Sequence, residues 1–143
     1  MNDLKKRAIA CLARRDHSRA ELARKLAAHG SEEEIEPVLQ DLERQGLLSD
    51  ARFADAYLRS RAGQRGDARL RQDLRTKGVA GELIDERLAE LADELERARA
   101  VWSRKYGAAP ADGKEWARQA RFLQGRGFSA ETIRRLLKNV EEA

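Results

Sequence analysis

Three glycines, Gly30, Gly78 and Gly127, stand 48 and 49 residues apart, and each carries the same apolar frame around it. Four residues before each glycine is a leucine: Leu26, Leu74 and Leu123. Ile35, Ile84 and Ile133 follow at offsets of five, six and six, then Leu39, Leu88 and Leu137, then Leu42, Leu91 and Val140. Farther upstream Phe53 and Tyr57 match Trp102 and Tyr106 by distance. A motif kept in register three times means one supersecondary unit used three times.

The unit is helical. Ala and Leu supply 24 and 18 residues, against 4 Val, 4 Ile and 2 Thr. Straight-chain residues and Ala favour helix, whereas β-branched ones lose χ1 freedom there. Each copy reads as three helices. The second carries an i,i+4 pair, Leu22/Leu26 or Leu70/Leu74, stacked on one face, and closes at the glycine in a left-handed C′ conformation. The third buries its Ile and Leu stripe. Ser18 with Glu21, Ser31 with Glu34 and Asp112 with Glu115 have capping-box spacing, and Asp50, Asp67 and Ser129 are further N-caps. Pro37 falls six residues into the helix that Ser31 starts, so that helix either kinks there or begins near Glu36. Tyr106–Lys114 and Ala62–Gly66 read as linkers. The expectation is an all-α fold of three tandem three-helix repeats, helix-turn-helix-like, over 1–48, 49–97 and 98–143. Both a compact bundle and a curved row are open to such repeats.

Charge narrows the function. Lysine and arginine number 29 against 25 carboxylates. Residues 1–51 hold 9 basic and 10 acidic side chains, 52–77 hold 8 and 3, and 78–143 hold 12 of each. The excess lies in the middle: Arg59, Arg61, Arg65, Arg69, Arg71, Arg75 and Lys77 bracket a loop and the next helix. There Leu70 and Leu74 take the buried face, which leaves the arginines on exposed flanks. A second basic group, Arg121, Arg126, Arg134, Arg135 and Lys138, lies in the last repeat. These twelve are the candidate residues for binding a partner or DNA.

Little else carries chemistry. Cys11 sits among Ala8, Ile9 and Leu12 as a structural thiol, and a lone cysteine suits a reducing compartment. His17 and His29 have no ligand set around them, and no phosphate-binding or dinucleotide motif is present. The aromatics fall at core positions. No catalytic site, metal or cofactor is expected. With no apolar run of spanning length and no signal pattern in MNDLKKRAIACLARRD, the expected location is the cytoplasm.

A three-helix unit with a glycine turn also suits a DNA-binding transcriptional regulator. The would-be recognition helices test that. EEEIEPVLQDLE and ELIDERLAEL are acidic and repelled by phosphate. ETIRRLLKNV alone offers Arg134, Arg135, Lys138 and Asn139, so this alternative rests on the third repeat.

LLSDARFADAYLRSR (Leu47–Arg61), GDARLRQDLRTKGV (Gly66–Val79), FLQGRGFS (Phe122–Ser129) and HSRAELARKLAAHG (His17–Gly30) resemble segments of the RecX family in order and spacing. Two positions depart: Ser49 stands where an acidic residue is usual, and Asp67 where proline is common. The resemblance implies a non-enzymatic monomer that binds a RecA-type recombinase filament on single-stranded DNA. It implies inhibition of the recombinase's ATPase, strand-exchange and coprotease activities, with arginines of the basic segment, Arg69, Arg71 and Arg75 among them, on the contact surface. Direct contact with the single strand is open, and no membrane or small-molecule substrate is implied.

Overall fold

The computed structural model describes residues 3–143. Met1 and Asn2, the first residues of the expected repeat 1–48, lie outside the described residues. Every regular element described is a helix. These are α1 (Asp3–Arg14), α2 (Arg19–Leu26), α3 (Glu32–Arg44), α4 (Asp50–Arg61), α5 (Asp67–Thr76), α6 (Gly81–Ala89), α7 (Glu94–Lys105), α8 (Gly113–Gly125) and α9 (Ala130–Glu142). Three helices per repeat, three times over, is the architecture the glycine spacing implies.

Local chemistry places most of the boundaries. Ser18 and Ser31 each close a full capping box, with Glu21 and Glu34 bonding back to the cap. Asp112 accepts the Glu115 N–H at 2.8 Å, and Ser129 accepts the Thr132 N–H at 3.1 Å. Helix α3 runs unbroken from Glu32 through Pro37, which settles the open question of its start. Asp50 and Asp67 differ from expectation. They are the first helical residues, and the caps lie one position earlier. Ser49 Oγ accepts the Arg52 N–H at 3.1 Å, and the Gly66 carbonyl accepts the Leu70 N–H.

The chain condenses into two compact units. One comprises the residues up to Tyr57 together with Leu74–Ile84, and the other Leu58–Asp73 with Asp85–Ala143. In the first, Leu4, Ala8, Leu22, Leu26, Ile35, Val38, Leu39, Leu42 and Leu48 form one apolar core, with Cys11 packed against it. In the second, Ala98, Val101, Trp102, Leu123, Phe128, Ile133, Leu136 and Leu137 form another. Each fully buried leucine contributes about 1.5–3 kcal/mol by leaving water. Gln119 occupies the place in α8 that Leu22 has in α2. It is buried, yet its Oε1 accepts the Trp102 indole N–H at 2.8 Å and its Nε2 donates to the Ala108 carbonyl at 3.2 Å. A polar core residue is tolerated because its donors and acceptors are satisfied.

The repeat glycines serve close approach as well as backbone freedom. Gly78 and Gly127 adopt φ of 85° and 92°, as a left-handed C′ requires. A Cβ on Gly78 would lie 2.4 Å from the Ala20 Cβ, and one on Gly127 would lie 2.2 Å from the Arg69 Cβ. Gly30 departs from expectation, since it has no positive φ. Leu4 packs against it instead, and a Cβ there would lie 2.9 Å from a Leu4 methyl, so that side chain would have to shift.

Candidate nucleic-acid or partner interface

Carboxylates from neighbouring turns absorb part of the basic middle segment. Arg65 is half-buried and donates to Asp73 at 2.6 Å, while Arg69 reaches the other oxygen of Asp73 at 3.2 Å. Arg71 donates to Asp85 of α6 at 3.2 Å. Lys77 lies over the Tyr57 ring, 5.7 Å from its centroid, and 3.9 Å from Glu21. The expected row of arginines on an exposed flank is therefore partly neutralised. Asp73 is one helical turn beyond Arg69, and the turn into α6 brings Asp85 back to Arg71. Arg59, Arg61 and Arg75 stay exposed in the last turns of α4 and α5.

The first repeat is organised by the opposite sign. Helix α3 opens with Glu32, Glu33 and Glu34, all exposed, where the helix macrodipole favours negative charge. Arg19 bridges Glu36 at 2.5 Å and Glu43 at 2.9 Å. Those hydrogen bonds raise its pKa still farther above the ordinary range. This face retains an acidic helix that repels a phosphate backbone.

Within the second compact unit, two of the expected residues, Arg59 and Arg126, come together with seven others. Arg59, Ser60, Gly63 and Gln64 from the end of α4 and its loop meet Val101, Arg104 and Lys105 from the last turn of α7. Phe122 and Arg126 close the group from the end of α8, and together they line a concavity of about 600 Å³. Among the described residues, its wall holds four cations and no carboxylate. Arg104 is held in place by donating to the Gly63 carbonyl at 2.5 Å. Lys105 and Arg126 sit 5.4 and 5.1 Å from the centroid of the Phe122 ring, within cation–π range. Tyr106 adds an edge-on contact to that ring at 5.6 Å.

Sequence reasoning missed Arg104 and Lys105 and assigned Phe122 to the core. Phe122 does pack on the core, but half-buried, so its ring also floors the concavity. The available signal was the pair Arg104-Lys105 in a last turn before a linker. The remaining residues of the second basic group disperse. Arg121 lines a different concavity that also holds Asp112 and Glu115. Arg134, Arg135 and Lys138 are exposed on α9, outside the buried stripe of Ile133, Leu136 and Leu137. The concavities beside α3 likewise mix signs, with Glu34 and Asp41 in one and Glu32, Glu33 and Glu36 in the other. Among the described residues no helix is long and apolar enough to cross a membrane.

Comparison with known proteins matches the chain in three consecutive segments. Residues 5–42 match the first three-helix domain of RecX, 49–88 the second and 92–137 the third. A regulatory protein RecX of Leptothrix cholodnii is 50% identical over 137 residues, covering 94% of this chain and 87% of that one. One from Ralstonia nicotianae is 45% identical over 140 residues, covering 96% and 88%. The crystal structure of RecX from Lactobacillus salivarius superposes with a TM-score of 0.84 at 19% identity, over 98% of this chain and 96% of that one. That likeness shows the fold alone, and the sequence relatives carry the assignment. Three matching domains in order, with relatives near half identical over almost the whole length, establish that the chain belongs to the RecX family.

Proposed function

We propose that this chain binds a RecA-type recombinase filament on single-stranded DNA and restrains its ATPase, strand-exchange and coprotease activities. It acts by occupying surface, as a cytoplasmic monomer without a catalytic site or cofactor. The relatives' shared name, regulatory protein RecX, supports a regulatory role. The observation that carries the mode of binding is the separation of charge along the chain. Helix α3 presents Glu32, Glu33 and Glu34, while the concavity at the ends of α4, α7 and α8 presents cations alone. A filament of repeating subunits around nucleic acid presents phosphate and protein surface side by side, and complementary charge sets register and partner choice. The repeats 1–48, 49–97 and 98–143 are the units that would meet successive sites along it.

Recombinase ATPase on single-stranded DNA, titrated with this protein at fixed salt, tests the reading. Inhibition at concentrations well below those needed to bind bare DNA is the expected result. No effect on ATPase, together with tight and sequence-selective duplex binding, would instead assign a transcriptional regulator working through Arg134, Arg135 and Lys138 of α9.

A further inference from the structure

We infer that the concavity lined by Arg59, Arg104, Lys105 and Arg126 is a direct contact site for the phosphodiester backbone of single-stranded nucleic acid, indifferent to base identity. This deepens the filament reading and rests on it, because the filament is what presents the strand.

Three features support it. Of the concavities described, this one has cations without a carboxylate, whereas each of the others includes Asp or Glu. Its charge comes from three helix ends, those of α4, α7 and α8. Basic residues there partly offset the negative ends of the helix macrodipoles. That role alone places charges on surfaces and does not turn four of them into one hollow. Arg104 is also fixed by the Gly63 carbonyl, so less side-chain freedom is lost when an anion arrives.

The aromatic floor decides what part of a strand is read. Base stacking needs an open ring face. Here Lys105 and Arg126 lie within cation–π distance of Phe122, and Tyr106 packs against it at right angles. The ring therefore positions cations rather than receiving bases, and the cations meet phosphate. A hollow admits a flexible strand, whereas a duplex carries its phosphates on a convex rod that reaches only the rim.

The test is fluorescence anisotropy of end-labelled oligo-dT and oligo-dA with the full chain, without recombinase, over a range of salt. The double substitution Arg59→Gln, Arg126→Gln should weaken binding about ten-fold or more. It should flatten the salt dependence by about 1.4 in log–log slope, at roughly 0.7 per single-strand phosphate contact. Arg134→Gln with Arg135→Gln should change affinity less than about two-fold, and dT and dA should bind alike. Circular dichroism and thermal melting confirm that each variant is folded.

Equal losses from the α9 pair would overturn the assignment, as would a ten-fold preference between dT and dA. Failure of the unsubstituted chain to bind strand at low salt, while binding polyglutamate, would assign the hollow to an acidic protein segment instead. The recombinase ATPase titration separates the two readings. A chain that inhibits ATPase but does not bind bare strand loses this site and keeps the regulator role. One that binds strand through these residues without inhibiting loses the regulator role and keeps the site.

Discussion

The Ser18 hydroxyl donates to the carbonyl of Lys77, 59 residues along the chain, at 2.6 Å, while accepting the Glu21 N–H at 3.0 Å. One side chain thus caps α2 and holds the residue before Gly78 of the next repeat. The same relationship recurs one repeat later with a different donor. The Gly66 N–H, at the cap of α5, donates at 2.8 Å to the carbonyl of Arg126, the residue before Gly127. The carboxylates agree: Asp50 accepts the Arg19 N–H at 2.8 Å and Glu94 accepts the Asp67 N–H at 3.1 Å. In each case the first helix of one repeat places its leading carboxylate on the N-terminus of the previous repeat's second helix, where the macrodipole rewards it.

Ser18→Ala removes both bonds of a fully buried side chain. The expected cost is about 2–3 kcal/mol, from a lost cap and an unsatisfied, partly buried carbonyl. Ser31→Ala, at an exposed cap, should cost about 1 kcal/mol. Paired urea denaturations measure the difference, and equal losses would show that the Lys77 contact contributes nothing.

Gly127→Ala and Gly46→Ala both place a Cβ on a left-handed residue, at φ of 92° and 75°. Open space surrounds Gly46, so the change there should cost about 1–2 kcal/mol of backbone strain. At Gly127 the new methyl meets Arg69 backbone and side chain within 3.0 Å. An additional loss of about 1–3 kcal/mol from overpacking is expected there. The midpoint of denaturation should separate the two variants clearly.

Arg97 is buried, donating to the carbonyls of Ala92 and Arg65 at 3.0 and 2.8 Å and to the Asp67 carboxylate. Arg97→Ala should cost about 3 kcal/mol, the low end for breaking a buried pair, since it leaves two carbonyls and a partly exposed carboxylate without their partner. Arg97→Lys should not restore the loss, because a single ammonium cannot reproduce the fork. Full rescue by lysine would mean that charge alone matters there.

His17 is buried, with Nδ1 3.0 Å from the Arg15 carbonyl and Nε2 3.0 Å from the Lys25 ammonium. Its Nδ1–H donates and its Nε2 accepts, an arrangement open only to the neutral ring. Burial, aided by the charges of Arg15 and Lys25, lowers its pKa below the ordinary 6.5. The unfolded chain therefore binds the proton more readily. The contribution of His17 to stability is complete above 6.5 and is lost as pH falls through the lowered value. Stability should fall more between about pH 7.5 and 5.5 in the unsubstituted chain than in His17→Gln. Parallel curves would remove His17 as the cause.

What the sequence alone determined is what contacts within about one helical turn decide. The apolar period marked helices, the serine and acidic pairs marked their starts, and Gly78 and Gly127 marked two of the turns, because capping and periodicity act over three or four residues. The family was legible for the same reason, as the spacing of that punctuation. Tertiary structure decided the rest. It displaced Asp50 from a cap on its own helix to the N-terminus of α2, and it made Gly30 a matter of space for Leu4 rather than of φ. It turned Arg71 toward Asp85 and gathered Arg59, Arg104 and Arg126 into one carboxylate-free hollow. Which charge meets which, across 14 residues for Arg71 and Asp85 or 41 for Gly63 and Arg104, depends on how helices pack, and composition carries no record of that.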